Sequence, residues 1–257
     1  MDLNKIIEDL VDQVKVALKI GDMRTIGLDI GLSAVKIAEV EEKNGEYKIK
    51  KYASVPLPEA ALIEDEIQKE EEIVEAIIAC FKKAGISNKQ VCLGLSGPNT
   101  VTRRLQLAGG TEEEIEDQVT WEAEQYLPFG LEESKLSFHI VGENEGGGVD
   151  VVIAAAHDNV VDSFVDLANK SGLKVKILDL DMIALANMFE ICSNVELDDP
   201  TQSWLVIDFG AQKTELLIYK NHTVVFTKEM PIGGSMITEE IQRQLGVNHK
   251  EAEDLKI

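Results

Sequence analysis

Two short segments, far apart in the chain, share an aspartate and a glycine separated by one residue. The first reads GLDIGLSAVK at residues 27–36, and the second reads VIDFGAQKTE at residues 206–215. Each is typical of an apolar strand that ends in Asp-x-Gly, followed by a turn and a second strand. A carboxylate at a strand end can hold Mg²⁺ through water, and glycine lets backbone amides approach an anion closely. The matched pair therefore predicts two hairpins that bind a polyphosphate from both sides.

The charged residues of the two motifs are candidates for binding the metal ion and the phosphates. We expect Asp29 and Asp208 to hold Mg²⁺ through water molecules, since Mg²⁺ sheds its waters reluctantly. Lys36, two strand positions beyond the first turn, is expected to reach a bridging phosphate. A single Asp-x-Gly hairpin would more simply be a plain turn, and the repetition is what favours a binding site. Rossmann and P-loop sites are excluded, because no GxGxxG follows a strand and GxxxxGK[ST] is absent.

The elements around each motif form a similar pattern, a three-strand meander followed by a helix. An Asn-Gly turn at residues 43–45 and another turn at Asn221-His222 separate strands within these meanders. Gly85 and Gly246 stand where the following helices should end. The predicted strands are 25–31, 34–41, 47–55 and 91–95 around the first motif and 204–209, 214–219 and 223–229 around the second. The predicted helices are 66–84, 235–245 and 251–257.

A different pattern lies between the two meanders. Strand 101–107 is followed by a helix that begins at Thr111, with Glu114 completing a capping box, and runs to about residue 126. The remaining predicted elements are strands 135–141 and 149–155, helix 158–171 and strand 174–180, before an apolar helix at 182–191. This β-α-β-β-α-β order predicts a ferredoxin-like inserted subdomain over residues 101–178.

Composition narrows the class of protein. The 257 residues carry 25 Lys and Arg against 47 Asp and Glu, a net charge of −22, which disfavours nucleic acid as a partner. The three scattered cysteines suit a reducing compartment. Neither the cysteines nor the four histidines have the spacing of a zinc site. No apolar run reaches 18 residues, and the acidic start is unlike a signal peptide, so we expect a cytoplasmic protein. Residues 1–22 predict an amphipathic helix that packs on its own domain or docks elsewhere.

The two Asp-x-Gly segments resemble the phosphate motifs of the actin, Hsp70 and sugar-kinase superfamily. The runs WEAEQYLPF (121–129), FTKEMPIGGSMIT (226–238) and EAEDLK (251–256) narrow the resemblance to PilM, a family of actin-like proteins of type IV pilus assembly related to FtsA. The resemblance implies ATP and Mg as cofactors and an α/β, bilobed actin-like (ribonuclease H-like) fold. Residues 23–100 and 179–202 would form the first lobe, and the second lobe would start at 203 and be incomplete, so that nucleotide binds poorly.

The resemblance also assigns site residues, one by one. Those that would meet the phosphates are Asp29, Gly31, Leu32, Ser33 and Lys36 from the first lobe and Asp208, Gly210, Gln212 and Thr214 from the second. Gly233 and Gly234 would border the nucleotide, unless they are a simple turn, and Glu253 and Lys256 would touch the ribose and base, unless they are a solvated helix face. Asp181 is the candidate for orienting the hydrolytic water, although a helix N-cap explains it more simply. Ala211-Gln212-Lys213 departs from the family motif, which indicates at most a slow ATPase.

The resemblance implies a partner as well, the cytoplasmic tail of the membrane protein PilN, which would keep this chain peripheral to the inner membrane. We expect the tail in a groove between the first lobe and the insert, at Arg103, Leu105, Glu122, Tyr126 and Phe129, although ordinary core packing also explains the aromatic residues. Self-association into a ring or filament is a further expectation. The alternatives are a small-molecule kinase of the same superfamily and an FtsA-like division protein.

Overall fold

The computed structural model describes residues 26–43, 45–144, 146–193, 195–199 and 201–256. The predicted helix at 1–22, the first residue of the strand expected from Thr25, and Asn44 of the predicted turn lie outside these residues. The strands are β1 (Ile26–Ile30), β2 (Ala34–Lys43), β3 (Glu46–Pro56), β4 (Leu62–Ile63), β5 (Glu66–Ile67), β6 (Gln90–Leu95), β7 (Thr100–Leu107), β8 (Ser134–Glu143), β9 (Val149–His157), β10 (Lys174–Leu180), β11 (Trp204–Phe209), β12 (Thr214–Lys220) and β13 (Thr223–Met230).

Within the described residues, six α-helices connect or cover these strands. They are α1 (Glu70–Ala84), α2 (Glu112–Ala123), α3 (Asp158–Lys170), α4 (Asp181–Cys192), α5 (Gly234–Leu245) and α6 (His249–Lys256), with a short 3-10 helix at Leu131–Glu133. The capping box of Thr111 and Glu114 is confirmed, as are the left-handed glycines that end α1 and α5. Within the described part of the chain, no helix is long and apolar enough to cross a membrane.

The first lobe is built on a five-stranded sheet in the order β10-β6-β1-β2-β3. Strands β1, β2 and β3 form the predicted antiparallel meander, whereas β6 and β10 run parallel to β1. Helices α1 and α3 bury their apolar sides in the core of this lobe, where Leu28, Ile77 and Phe164 are at most 3% exposed. Helix α1 begins at Glu70 rather than 66, because residues 62–67 form the small β4–β5 hairpin.

The inserted subdomain has a three-stranded antiparallel sheet in the order β7-β9-β8, covered on one face by α2. The ferredoxin-like prediction for the insert is therefore wrong in its last two elements. Strand β10 pairs with β6 of the first lobe, and α3 buries Phe164 and Leu167 in the first-lobe core. Parallel pairing with β6 and burial of this apolar helix face override the local β-α-β-β-α-β order.

A second antiparallel sheet, in the order β11-β12-β13, carries the second motif. Helix α4 links the two lobes and packs Ala186 and Phe189 against Leu217 and Tyr219 of β12. Strand β13 also approaches β7 of the insert, where the Thr227 hydroxyl lies 3.4 Å from the Thr102 carbonyl oxygen. The two-lobed arrangement predicted from the sequence thus brings both Asp-x-Gly hairpins to one cleft, together with Asp181 at the start of α4.

Candidate functional site

The first hairpin presents a lysine and an aspartate as a pair. Asp29 on β1 lies opposite Lys36 on β2 in the antiparallel register, and Lys36 Nζ is 2.9 Å from Asp29 Oδ2. Burial lowers the pKa of Lys36, but the hydrogen bond and charge of Asp29 outweigh burial, so that this pKa is raised. Both side chains remain about half exposed, which leaves the ammonium group accessible to a ligand.

The second hairpin has the same register but different charges. Glu215 stands opposite Asp208, in the place that Lys36 occupies opposite Asp29. The cation is instead Lys213, whose Nζ lies 2.9 Å from Glu215 Oε1 and 2.6 Å from Glu229 Oε2. Burial raises the pKa of Glu215 although Lys213 opposes it, and the two glutamates hold the pKa of Lys213 above its usual value against burial.

The two turns are closed in the same way. The Gly31 amide donates to the Ala34 carbonyl at 3.1 Å, and the Gly210 amide donates to the Lys213 carbonyl at 2.9 Å. A Cβ atom on Gly210 would lie only 2.8 Å from that carbonyl oxygen, whereas one on Gly31 would lie 3.3 Å from its counterpart. The second turn therefore requires glycine more strictly than the first.

Asp181 lies at the base of the cleft, where β10 passes into α4. It is not the N-cap of that helix, since Leu180 holds the cap position and no side chain caps it. A Cβ atom on Gly94 of β6 would lie 2.1 Å from Asp181 Oδ1, so the missing side chain makes room for the carboxyl group. Burial is the main reason that the pKa of Asp181 is raised to about 6, with Asp29 and Glu215 adding to it and a hydrogen bond from Ser96 opposing it.

The two hairpins and Asp181 enclose a cleft of about 90 Å³. Its lining includes eight of the predicted residues: Asp29, Gly31, Leu32, Ser33, Lys36, Asp181, Asp208 and Gly210. Sequence reasoning missed Glu64, Gly94, Ser96, Lys213 and Glu215, which also line it. The alignment of the two motifs contained the signal for Glu215, because this residue stands in the second motif where Lys36 stands in the first.

Six other predicted ligands do not line the cleft, and four of them lie in or beside the second turn. Gln212 is absent from its walls, and the Thr214 hydroxyl donates to the Ile232 carbonyl at 2.5 Å. Gly233 packs against the second turn, since a Cβ atom there would lie 2.5 Å from the Ala211 carbonyl oxygen. The Gly234 amide donates to the Gly210 carbonyl at 3.0 Å. This glycine pair therefore joins the N-terminus of α5 to the hairpin.

Glu253 and Lys256 form a polar cluster between α5 and α6. Lys256 Nζ lies 2.7 Å from Glu253 Oε1 and 3.0 Å from Thr238 Oγ1, and the fully buried Thr238 also donates to Glu253. A hydrogen bond from Lys256 is the main reason that the pKa of Glu253 is lowered. In the described structure these side chains hold the two helices together, and a role toward a nucleotide base stays a prediction.

The residues predicted for the partner site lie in the insert and have different environments. The Arg103 guanidinium stacks over the Tyr126 ring at 4.6 Å, and the Phe129 ring meets the edge of His157 at 5.4 Å. Glu122 on α2 is partly exposed. Leu105 is 5% exposed and belongs to the core between α2 and the insert sheet. The structure thus gives Leu105 a packing role and leaves Arg103, Glu122 and Tyr126 at the surface.

A much larger groove, of about 840 Å³, lies between the insert and the first lobe. Strands β8 and β9 form one wall, and β10, α4 and the β12–β13 hairpin form the other. Its floor is apolar and includes Ala154, Ala156, Leu178 and Ile183. None of the predicted partner residues lines this groove, because it arises from elements that are distant in sequence.

One rim of this groove is fixed by a charged cluster. His222, at the tip of the β12–β13 hairpin, lies 2.9 Å from Glu190 of α4 and 2.8 Å from Asp198 through its two ring nitrogens. Tyr219 donates a hydrogen bond to the same Glu190. Hydrogen bonds to Glu190 and Asp198 raise the pKa of His222. The cluster ties the hairpin of the second sheet to the end of the linking helix.

Comparison with known proteins identifies the family. The structure of a PilM-PilN type IV pilus biogenesis complex matches with a TM-score of 0.79 and 27% identity, over 91% of this chain and 69% of that chain. Cell division protein FtsA of Streptococcus pneumoniae is 25% identical over 90% of this chain, which spans about half (54%) of that relative's length. The ethanolamine utilization protein EutJ of Carboxydothermus hydrogenoformans, with 11% identity and a TM-score of 0.54, shares the fold. The family model described as type IV pilus assembly protein PilM matches residues 27–257, and the chain therefore belongs to the PilM family.

Proposed function

We propose that this protein is an ATP-binding scaffold of type IV pilus assembly that docks the cytoplasmic tail of PilN. The family match and the 27% identical structure of a PilM-PilN complex support this proposal. The structural observation that carries it is the coexistence of two separate sites. One is the charged cleft between the Asp-x-Gly hairpins, and the other is the apolar groove between the insert and the first lobe.

The residues of the cleft fit a nucleotide polyphosphate and its metal ion. Lys36 and Lys213 would contact phosphate oxygens, and the small turns at Gly31 and Gly210 would let backbone amides approach them. Asp29 and Asp208 would hold Mg²⁺ through water. When bound, the ion supplies positive charge that offsets the repulsion between phosphates and carboxylates. Among the described residues, no group of three or more His, Cys, Asp or Glu side chains could hold a metal ion.

The charge of the cleft predicts that the metal is required for nucleotide binding. Five carboxyl side chains, from Asp29, Glu64, Asp181, Asp208 and Glu215, face two lysine ammonium groups. A free polyphosphate would meet net repulsion there, and a metal complex would not. We expect weak binding of ATP in EDTA and tighter binding with Mg²⁺. Titration in both buffers, with calorimetry as the readout, measures this difference.

Hydrolysis, if it occurs, depends on Asp181. Its carboxyl group lies at the base of the cleft, and a pKa of about 6 suits a group that orients or deprotonates water near neutral pH. The second motif carries Lys213 and Glu215 rather than further glycines, and Lys213 is held by two glutamates. We propose slow turnover at most, with binding rather than catalysis as the main role of the cleft.

The groove between the insert and the first lobe is the proposed docking site for the PilN tail. Its volume of about 840 Å³ and apolar floor suit a short peptide with apolar side chains. Docking there would hold a chain without a described membrane-spanning helix at the cytoplasmic face of the inner membrane. Self-association into a ring or filament also remains a proposal.

Calorimetric titration with a synthetic peptide of the cytoplasmic tail of PilN from the same genome tests the proposal. Ala154→Arg fills the groove, and we expect it to weaken the complex at least tenfold. Tyr126→Ala removes an exposed ring outside the groove and should change affinity less than twofold. Equal melting temperatures of the two variants exclude misfolding as the cause. Failure of the unsubstituted protein to bind the peptide, with and without Mg-ATP, would refute the docking role.

A further inference from the structure

The β4–β5 hairpin is a small element that lies between the charged cleft and the inserted subdomain. Within the described part of the chain its two strands pair only with each other, whereas the remaining strands belong to sheets of three or five strands. Glu64 and Asp65 form the two-residue turn between the paired Ile63 and Glu66. Glu64 lines the cleft, and its neighbour Asp65 is turned into the protein and only 4% exposed. One turn therefore contributes to two different sites.

Asp65 packs on the junction where the chain enters and leaves the inserted subdomain. Its Oδ2 atom accepts a hydrogen bond from the Asn99 amide at 3.1 Å, just before β7 begins. The Asn99 carbonyl accepts a hydrogen bond from the His157 amide at 3.0 Å, where β9 ends. A Cβ atom on Gly97 would lie 2.9 Å from the Cβ atom of Asp65, so the missing side chain makes room for this contact. The position of Asp65 is therefore linked to both crossings between the first lobe and the insert.

The cleft must widen before it can enclose a polyphosphate. Its volume of about 90 Å³ is far below the roughly 300–1,000 Å³ that is usual for small-molecule sites. The two Asp-x-Gly hairpins that form its walls belong to larger sheets, and the β4–β5 hairpin does not. Two-stranded hairpins on their own are only marginally stable. Because Leu62 at the base of this hairpin is buried in the first-lobe core, we expect the movement at the turn.

Glu64 makes the turn responsive to a ligand in the cleft. Its φ angle is +55°, in the left-handed region that residues other than glycine rarely adopt, so a change in the conformation of the turn relieves strain. Its carboxylate lines the cleft, where phosphate groups would repel it. An entering polyphosphate therefore displaces the turn both by its volume and by its charge. The hydrogen bond of Asp65 carries that displacement to Asn99.

We propose that the β4–β5 hairpin couples occupancy of the cleft to the orientation of the inserted subdomain. In this coupling Glu64 responds to the phosphates, and Asp65 is a positioning residue that passes the movement to the junction. The inference rests on the proposed nucleotide binding and specifies how a nucleotide regulates a distant part of the molecule. Since the insert forms one wall of the groove of about 840 Å³, its rotation changes the width of that groove. Coupling is reciprocal, so a ligand in the groove would change the affinity for Mg-ATP by the same factor as Mg-ATP changes the affinity for that ligand.

Distances between pairs of spin labels test the coupling directly. Labels are attached to cysteines that replace the exposed Glu75 of α1 and Glu113 of α2, after Cys92 and Cys192 have been replaced by alanine. We expect saturating Mg-ATP to change this distance by about 2–3 Å. A second pair, at Glu75 and the exposed Glu239 of α5, reports separation of the two lobes.

The possible results separate the coupling from the proposed function. Bound Mg-ATP that moves the second pair alone, or neither pair, overturns the coupling and leaves nucleotide binding standing. Absence of Mg-ATP binding, measured by calorimetry on the same protein, overturns both.

Substitutions in the turn test the assigned roles. Asp65→Ala removes the acceptor for the Asn99 amide and should reduce the change in the first distance at least twofold, whereas Asp65→Asn keeps a carbonyl acceptor and should retain it. Glu66→Ala removes the same charge at the next, exposed position and is the matched control. Glu64→Gly relieves the left-handed strain and should also reduce the change at least twofold, in a variant that is expected to fold. A full response to bound Mg-ATP in both Asp65→Ala and Glu64→Gly would refute the role of the turn.

Discussion

The two Asp-x-Gly hairpins have the same backbone and different surroundings. Ile26, Leu28 and Ile30 of β1 are at most 6% exposed, whereas Leu205, Ile207 and Phe209 at the matching positions of β11 are 55–60% exposed. Strand β1 is paired on both sides, by β2 and β6, and β11 pairs only with β12 in the described structure. The comparison teaches that a repeated motif determines the turn and the register, and its neighbours determine how much each copy contributes to stability.

The charges of the two hairpins differ in a way that bears on binding. Position for position, Lys36 in the first hairpin corresponds to Glu215 in the second. In the first hairpin, Lys36 and Asp29 therefore form an ion pair without net charge. In the second hairpin, the carboxylates of Asp208 and Glu215 stand opposite each other, and Lys213 supplies the positive charge beside Glu215. A ligand between the hairpins would meet an asymmetric site, in which the first lobe supplies the more accessible cation.

The largest expected difference is in the stability lost when a buried residue of β1 and the exposed residue at the matching position of β11 are each replaced. Leu28→Ala should lower the free energy of unfolding by about 3 kcal/mol, because it leaves a cavity in the first-lobe core. Ile207→Ala should cost less than about 1 kcal/mol, because that side chain is 56% exposed. Urea denaturation followed by circular dichroism measures both. Similar losses for the two variants would contradict the contrast between the hairpins.

A smaller difference is expected between the two turn glycines. Gly210→Ala should destabilise the protein by about 2 kcal/mol, since the new methyl group would collide with the Lys213 carbonyl. Gly31→Ala should cost less than about 1 kcal/mol, because its contact with the Ala34 carbonyl is 3.3 Å. Gly142→Ala serves as the control, since nothing lies within 4 Å of a Cβ atom there. The three melting curves should rank in this order.

The pH dependence of stability reports on Asp181 between the hairpins. Its pKa of about 6 in the folded protein exceeds the unfolded value of 3.8, so the native state holds the proton more tightly. Stability from this group is present at low pH and is lost as pH rises through about 6. Asp181→Asn should therefore be more stable than the unsubstituted protein at pH 8 by about 1–2 kcal/mol, and the gain should shrink at pH 5.

The exposed Asp254→Asn makes the same change of charge outside the cleft and is the control for this measurement. A gain for Asp181→Asn that is the same at pH 5 and pH 8 would show that the carboxyl group does not titrate in this range.

The smallest expected effects are changes in Mg-ATP affinity when the unlike charges of the two hairpins are altered. Lys36→Gln removes the accessible cation of the first hairpin and should weaken Mg-ATP binding about 5- to 10-fold. Glu215→Gln removes a carboxylate from the cleft and should strengthen binding about threefold. Both are read by titration with a fluorescent ATP analogue in the presence of Mg²⁺. Changes in the same direction for the two variants would show that the cleft does not distinguish its two halves.

Local features were predictable from the sequence, and long-range ones were not. The Asn221-His222 turn, the capping box at Thr111 and the left-handed Gly85 depend on residues a few positions apart, and each was found in the expected place. The assignment of β10 to the insert failed, because its partner β6 lies about 80 residues earlier. Only the paired register explains why Lys213 contacts both Glu215 and Glu229.

The candidate site was predicted where the motif repeats and was missed elsewhere. Asp29 and Lys36 lie on the first hairpin and Asp208 lies on the second, so the repeated motif brings all three to the cleft. No local sequence pattern marks Gly94 as important. This glycine matters because the Asp181 carboxyl group, which is distant in sequence, occupies the space that a side chain at position 94 would fill. The aromatic run at 121–129 predicted a partner site in the insert, whereas β9 lines the groove beside the first lobe with one valine and three alanines, which carry no motif.

One titration tests most directly whether the two hairpins bind a single ligand. Mg-ATP binding is measured for the unsubstituted protein, for Asp29→Asn and for Asp208→Asn, with equal melting temperatures required of all three. If both hairpins hold the same nucleotide, each substitution weakens binding at least fivefold. Loss of affinity in one variant with unchanged affinity in the other would contradict the shared cleft and assign nucleotide binding to one hairpin alone.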